Sequence, residues 1–342
     1  MRITLLYNQP SASRYHALGE GIAVASVLDS VRATLEALEA DGHTVEALGL
    51  APPYSQAVGT LKRLNSDLVF NLFEGFDGRP DSEWMMAGEL EHTGLPFTGA
   101  SSKTLALCLD KAGCKDRLAG RGVPTPAYQL LGPGTVASFS LDFPVIVKPV
   151  KEDASHGCTS DSVVLNAPAL GRRLELIASR YGDPALVEVY LDGREFSVTV
   201  LGGQSPLVLP LSELVYAPDY PGPRVLTFAA KWLPDAPSYA LVMPVCPAQA
   251  PEGIYREAER LALEAYYAVG MPAYARVDLR SDATGQLFVL EVNPNPDLSP
   301  DAGLAGQAKA AGMGYSDLIN TILELALEER KPVGHQSTTY AT

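Results

Sequence analysis

Arg276, Asp278, Glu291 and Asn293 are the residues of this 342-residue chain whose types and spacing most directly suggest chemistry. Two carboxylates and an amide oxygen form a hard-oxygen set suited to Mg²⁺, with phosphate oxygens of a substrate completing the shell. The plain alternative is a pair of half-exposed strands with polar outer faces, and the elements carrying these residues decide between the two. Leu287 to Asn293 reads LFVLEVN, an apolar run with β-branched valine, and Pro294 and Pro296 stop it at once. Tyr274 to Arg280 reads YARVDLR, which puts Arg276 and Asp278 on one face and Ala275, Val277 and Leu279 on the other. The linker Ser281-Asp282-Ala283-Thr284-Gly285 is turn chemistry, so the two runs should pair as a hairpin. That pairing would gather Asp278, Glu291 and Asn293 beside one arginine.

A second candidate lies upstream. Phe143 to Pro149 reads as a strand ending in Lys148, and the loop Val150 to Gly157 follows it. Backbone N–H groups and the Ser155 hydroxyl could hold a phosphate there, with Lys148 supplying charge; a plain surface loop is the other reading of so short a motif. His156 in that loop reads as a solvent-exposed residue rather than a catalyst. The loop Asn71 to Arg79 leaves the carboxyl end of a predicted third strand, where ligands of open α/β sheets bind. Glu74 and Arg79 could hold a substrate's amino or carboxylate group, or sit in a solvated loop.

Composition narrows the partners. The chain is 46% hydrophobic and 19% charged, an ordinary globular balance. A formal charge of −14 argues against nucleic acid or an anionic membrane, since phosphate contacts need a basic surface. No apolar run approaches a membrane span, and the start reads as a first strand rather than a signal peptide. Cys108, Cys114, Cys158 and Cys246 lack metal spacing, which favours reduced, buried thiols and a cytoplasmic location.

Periodicity sets the architecture. Residues 1–100 alternate strand and helix, which predicts an α/β unit with a parallel sheet. Its first helix carries Val24, Val27, Leu28, Val31, Leu35 and Leu38 on one face and closes at Gly42. Ser101 caps a helix running to about Gly120. Strands then follow at Ala185 to Leu191 and Phe196 to Val200. Residues 202–246, rich in proline and glycine around Lys231-Trp232, read as strands joined by a long mobile loop. Ile254, Ala258, Leu261, Ala265 and Val269 mark a helix on that sheet, Leu318 to Leu327 a closing amphipathic helix, and 331–342 a disordered polar tail.

The order of these parts resembles the ATP-grasp superfamily, and within it the D-alanine–D-alanine ligase family. The pieces carrying the resemblance are GLPFTG at Gly94–Gly99, LDK at Leu109–Lys111, VIVKP at Val145–Pro149, the small-residue loop, Arg276-x-Asp278 and Glu291-Val-Asn293. The resemblance implies an ATP-grasp fold, α/β with α+β in the nucleotide half. Its parts would be a Rossmann-like pre-ATP-grasp domain over 1–100, a central α+β subdomain over 101–190, and an antiparallel-sheet subdomain with the metal site over 191–330. It also implies that Lys111, Lys148 and Lys231 touch ATP phosphates under the loop holding Ser155 and Gly157. Glu188, Val189, Tyr190 and Leu191 would form the adenine hinge and Glu195 would bind the ribose. Asp278, Glu291 and Asn293 would hold two Mg²⁺ (or Mn²⁺), and Arg276, with Ser155 and Lys231, would act on the reacting phosphoryl group. The family reaction phosphorylates a carboxylate with ATP, and an amine then attacks the acyl phosphate. Relatives often pair through the first domain, so a homodimer is a further expectation.

Departures concern the amino-acid substrates. Asn8-Gln9-Pro10-Ser11 stands where the family has a glycine pair and then a glutamate for the first substrate. Family serines fall at Ala154 and Ala302, the long-loop tyrosine is Trp232, and Ser-Pro-Gly becomes Asn295-Pro296-Asp297, leaving Asn295 to contact acceptor or phosphoryl group. The expectation is an ATP-dependent ligase acting on an amino acid, peptide or amine other than D-alanine, with ring closure open as a variant. The alternatives are a genuine D-alanine–D-alanine ligase, a phosphotransferase, or a nucleotide-binding protein without turnover.

Overall fold

The computed structural model describes residues 1–11, 13–76, 78–182, 184–203 and 205–328, so the tail expected from residue 331 lies outside the described residues. The chain opens with β1 (Arg2–Asn8), α1 (Arg14–Ala17), α2 (Ile22–Ala25), α3 (Val27–Ala40), β2 (Thr44–Leu50), α4 (Tyr54–Leu61), β3 (Leu68–Leu72) and α5 (Asp81–Thr93). The parallel sheet runs β2-β1-β3, with Ile3 between Val45 and Leu68. Every residue of β3 is buried because helices cover both faces. The first helix differs from its periodicity. Val24 belongs to the separate turn α2, and Leu28 is 41% exposed. Small Ser30 and Thr34 share the buried face with Val27, Val31 and Leu38, which rotates the stripe away from Leu28.

The predicted single helix from Ser101 to Gly120 is two, α6 (Ser102–Leu109) and α7 (Lys111–Ala119). Asp110 leaves helical geometry at ψ 89° and accepts the Gly113 N–H at 3.2 Å, so it caps α7 and breaks the run. Next come β4 (Tyr128–Leu131), β5 (Val145–Pro149), β6 (Val163–Val164), α8 (Ala167–Tyr181) and β7 (Ala185–Val189). Their antiparallel sheet has the order β4-β7-β5-β6, and α8 packs Leu170, Leu174 and Ile177 against Val145, Val147 and Val187.

The rest comprises β8 (Glu195–Leu201), β9 (Leu207–Val208), β10 (Ser212–Tyr216), α9 (Phe228–Trp232), β11 (Val242–Val245), α10 (Glu252–Ala268), β12 (Tyr274–Ser281), β13 (Leu287–Asn293), α11 (Gly303–Ala310) and α12 (Tyr315–Glu328). The order β11-β10-β8-β12-β13 is antiparallel, with β9 on β8. Ala258, Leu261, Ala262 and Ala265 of α10 lie against Val198, Val277 and Val289. Two pairs of helices join cores distant from them in the chain. Leu105, Cys108, Cys114 and Leu118 of α6 and α7 pack in this sheet's core rather than with the central sheet. Leu304, Leu318, Ile319 and Ile322 of α11 and α12 return to Ile3, Val31 and Phe70. Covering apolar faces decides both placements, and nearness in the chain does not. Among the described residues no helix is long and apolar enough to cross a membrane.

The turn into β8 illustrates how tightly these strands are joined. A Cβ on Gly193 would lie 2.2 Å from both the carbonyl oxygen and the Oγ of Ser281 in β12. Gly193→Ala should therefore cost about 1–3 kcal/mol through forced backbone movement, read as a lowered urea midpoint with unchanged slope.

Candidate active site

β12 and β13 deliver the first cluster. In register, Arg276 faces Asn293 and Asp278 faces Glu291, so all four side chains share one face while Ala275, Val277 and Val292 are buried on the other. Directly opposed carboxylates repel, and cations answer them here. Arg276 holds Asp278 in a two-pronged bond, Nε to Oδ1 at 2.7 Å and Nη2 to Oδ2 at 2.8 Å. Lys111 Nζ stands 4.0 Å from Glu291. Burial pushes the Glu291 carboxyl up, but Lys111, Lys148, Arg276 and Lys231 outweigh it and hold it below its ordinary value. Asn293 Oδ1 accepts the Asn295 N–H at 2.9 Å.

These residues line a cavity of about 310 Å³ whose walls come from all three sheets. Lys111, Lys148, Ser155, Val189, Tyr190, Leu191, Glu195, Lys231, Glu74, Arg79 and Asn295 line it as well. Lys111 sits at the start of α7, where the break at Asp110 aims its amine at the Glu152 carbonyl. Lys148 ends β5 and is tied to Glu188, which also binds Lys115 at 2.7 Å. Glu188 is 1% exposed; burial opposes its charge, yet the two lysines hold its pKa at about 2. Lys148 is raised in turn, with Glu188 and then Glu291 overcoming burial. Glu188 thus braces the lysines at the back of the hinge expected there. At the hinge's far end Glu195 accepts Arg280 at 2.9 Å and the Tyr216 hydroxyl at 3.0 Å.

The segment expected to be a long mobile loop is seated on the cavity. Its α9 places Lys231 over the Trp232 ring at 5.0 Å, and Trp232 donates to the Ala154 carbonyl at 2.9 Å. Below it, Ala154 and Ser155 both adopt left-handed backbone, φ 46° and 62°. Two successive residues other than glycine in that region are strained, which marks this loop as shaped for more than chain connection.

Two residues of the loop after β5 differ from expectation. Gly157 does not reach the cavity. Its N–H donates to Glu20 at 3.1 Å, its carbonyl accepts Arg173, and a Cβ would press Tyr181 at 2.9 Å. His156, read as exposed, is buried at 4% between Tyr15 and Phe228, because α1 and α9 close over the loop from either side.

Several residues escaped the sequence reading. Lys115 is one helical turn from Lys111, and Arg280 continues the alternation from Arg276 and Asp278, so spacing could have found both. Glu83 bonds Asn295 Nδ2 at 2.8 Å, and its pKa is pushed up to about 8 by burial and then by Asp153. Asp297, which accepts Ser30 at 3.0 Å, completes with Glu74, Glu83 and Asp153 an acidic end to the cavity. Only the fold brings these four together.

The oxygen set fits a Mg²⁺ that keeps substrate phosphates in its shell. Among the described residues no three His, Cys, Asp or Glu side chains form a cage, and two carboxylates plus an amide is the open set such an ion takes.

Comparison with known proteins bears on the whole arrangement. The family described as "D-ala D-ala ligase C-terminus" matches residues 129–324, which hold the central sheet, the hairpin and α9. The chain belongs to the D-alanine–D-alanine ligase family. A D-alanine–D-alanine ligase of Stutzerimonas stutzeri is 32% identical over 96% of this chain and 95% of its own length. An uncharacterized protein of Sinorhizobium fredii is 39% identical over 76% of this chain and 75% of its own. The crystal structure of the Bacillus anthracis D-alanine–D-alanine ligase complexed with ATP superposes with TM-score 0.75 at 21% identity, covering 97% of this chain and 99% of that one. The family's ATP-grasp fold is therefore the fold of this chain.

Proposed function

We propose that the chain is an ATP-dependent ligase that joins a carboxylate to an amine through an acyl phosphate, with substrates other than a pair of D-alanines. The convergence of Lys111, Lys148, Lys231, Arg276, Asp278, Glu291 and Asn293 in one cavity carries this reading. Lys111, Lys148 and Lys231 suit the triphosphate, Val189 to Leu191 the base and Glu195 the ribose, while Ser155 donates to the phosphoryl group being transferred. Asp278, Glu291 and Asn293 would hold two Mg²⁺, which supply charge neutralisation along the phosphates. Arg276 is placed to offset charge developing on the moving phosphoryl group. α9, seated over the loop after β5, would keep water from the acyl phosphate.

The other end of the cavity supports the substrate reading. Ala154 in the cavity wall offers no hydroxyl, nor does Ala302 before α11, and Trp232 fills space beside Ala154. Glu74, Glu83, Asp153 and Asp297, with Asn295, suit an ammonium group, and Arg79 a free carboxylate. ADP release by purified protein, with ATP and Mg²⁺ and pools of amino acids and dipeptides, tests the reading. ADP should appear with particular pools only and vanish without Mg²⁺. Strong turnover on D-alanine alone would overturn the substrate reading, and no pool rising above the Mg²⁺-free blank would overturn the ligase.

A further inference from the structure

His156 is built into a dyad that holding the loop in place does not explain. Its Nδ1 lies 2.9 Å from Glu20 Oε2, and that carboxylate also accepts the Gly157 N–H at 3.1 Å and the Tyr181 hydroxyl at 3.1 Å. The imidazole stacks on Tyr15 with centroids 4.0 Å apart and planes 9° apart, and faces Phe228 at 5.4 Å. A carboxylate on Nδ1 fixes the tautomer and leaves Nε2 as the acceptor. Among the described residues Nε2 makes no hydrogen bond, and it is not among the sealed, unpartnered atoms. His156 lines the cavity directly after Ser155, on the strained loop beneath α9. Other groups around the ring are themselves engaged: Glu152 binds Arg14 and the Tyr15 hydroxyl, and Arg173 holds the Gly157 carbonyl. Asp153, whose carbonyl accepts the His156 N–H, belongs to the acidic end suited to an ammonium.

We propose that His156 is the base that readies the attacking amine, an inference resting on the ligase reading above. The substrate arrives as R–NH₃⁺, which has no lone pair. Nε2 takes one proton and leaves R–NH₂. The nitrogen pair forms the C–N bond, the C–O bond to phosphate breaks, and the amide's second lost proton leaves with the phosphate. His156 then returns its proton to water. Glu20 is the positioning residue, holding the ring and its tautomer.

The test compares two acceptors for the same acyl phosphate. Hydroxylamine is already neutral near pH 7 and needs no base, whereas an amino-acid amine does. In His156→Gln amide formation should fall about 10²-fold or more while hydroxamate formation stays within about 2-fold. In His156→Ala, added imidazole should restore amide formation, and Glu20→Gln should lower the amide-to-hydroxamate ratio about 10-fold. Equal loss of both products in His156→Gln would make the residue a clamp and overturn the proposal, as would unchanged rates. A wild-type protein forming no hydroxamate with any carboxylate pool would instead overturn the ligase reading, and the base with it.

Discussion

Glu291→Ala should lower ADP formation about 10³-fold or more at saturating ATP and Mg²⁺, equivalent to about 4 kcal/mol of barrier. The carboxylate stands opposite Asp278 on the face that β12 and β13 turn to the cavity, within 4.0 Å of Lys111. Asp278 is already engaged by both prongs of Arg276, so it cannot take over the vacated position without giving up that bond. The variant should fold, because the residue is only half-buried and the apolar face of β13 is untouched. Electrostatics supplies a second readout with the opposite sign. Without divalent metal, the wild-type cavity presents Glu291 and Asp278 to the triphosphate and repels it. Removing one carboxylate leaves Lys111 and Lys148 less compensated, so ATP should bind the variant in EDTA at least as tightly as it binds the wild type. Calorimetry in EDTA and a Mg²⁺ titration of turnover separate the two effects. A small activity loss that Mg²⁺ concentration does not change would remove Glu291 from the proposed metal set.

How much of this was legible in the chain depends on the distance over which each feature is encoded. The hairpin was legible because strict alternation, a polar turn and two stopping prolines act within one short stretch, Tyr274 to Pro296. Register then followed from which side chains are apolar. α10 was legible from its helical period. The break at Asp110 was not, since aspartate inside an apolar period reads as a tolerated helix residue until its carboxylate is seen capping the next turn. The face of α3 was misread because Leu28 is large and apolar, whereas tight packing against the sheet selects Ser30 and Thr34. The Glu20–His156 pair joins residues 136 apart, and neither has a neighbour in sequence that announces the other. The acidic end of the cavity is similar, drawn from the loops after β3, β5 and β13 and from the first turn of α5. Short-range patterns marked the hairpin face and the lysine at the end of β5, and only the fold assembled the acidic end of the cavity.

Glu188→Ala should be the most destabilising single change near the cavity, lowering unfolding free energy by about 3–5 kcal/mol. Lys115 and Glu188 are 2% and 1% exposed, and Lys148 shares the same carboxylate. Removing the anion leaves two ammonium groups facing each other out of water, a worse state than losing the attraction alone. Replacing the set with apolar groups differs in kind: Lys115→Met with Glu188→Leu removes one charge of each sign and should recover part of the loss. The pH dependence has a definite sign. Glu188 is held at about 2 in the fold against 4.5 for the ordinary carboxyl, so its contribution is complete above about pH 4.5 and fades as pH falls toward 2. Wild type and Glu188→Ala should therefore differ most in urea midpoint at neutral pH and converge in acid. A gap that stayed constant from pH 7 to pH 3 would mean that the loss comes from packing rather than charge. Glu188 anchors Lys148, the amine proposed to meet the phosphates, so ATP affinity should fall in the variant even under conditions where the protein remains folded.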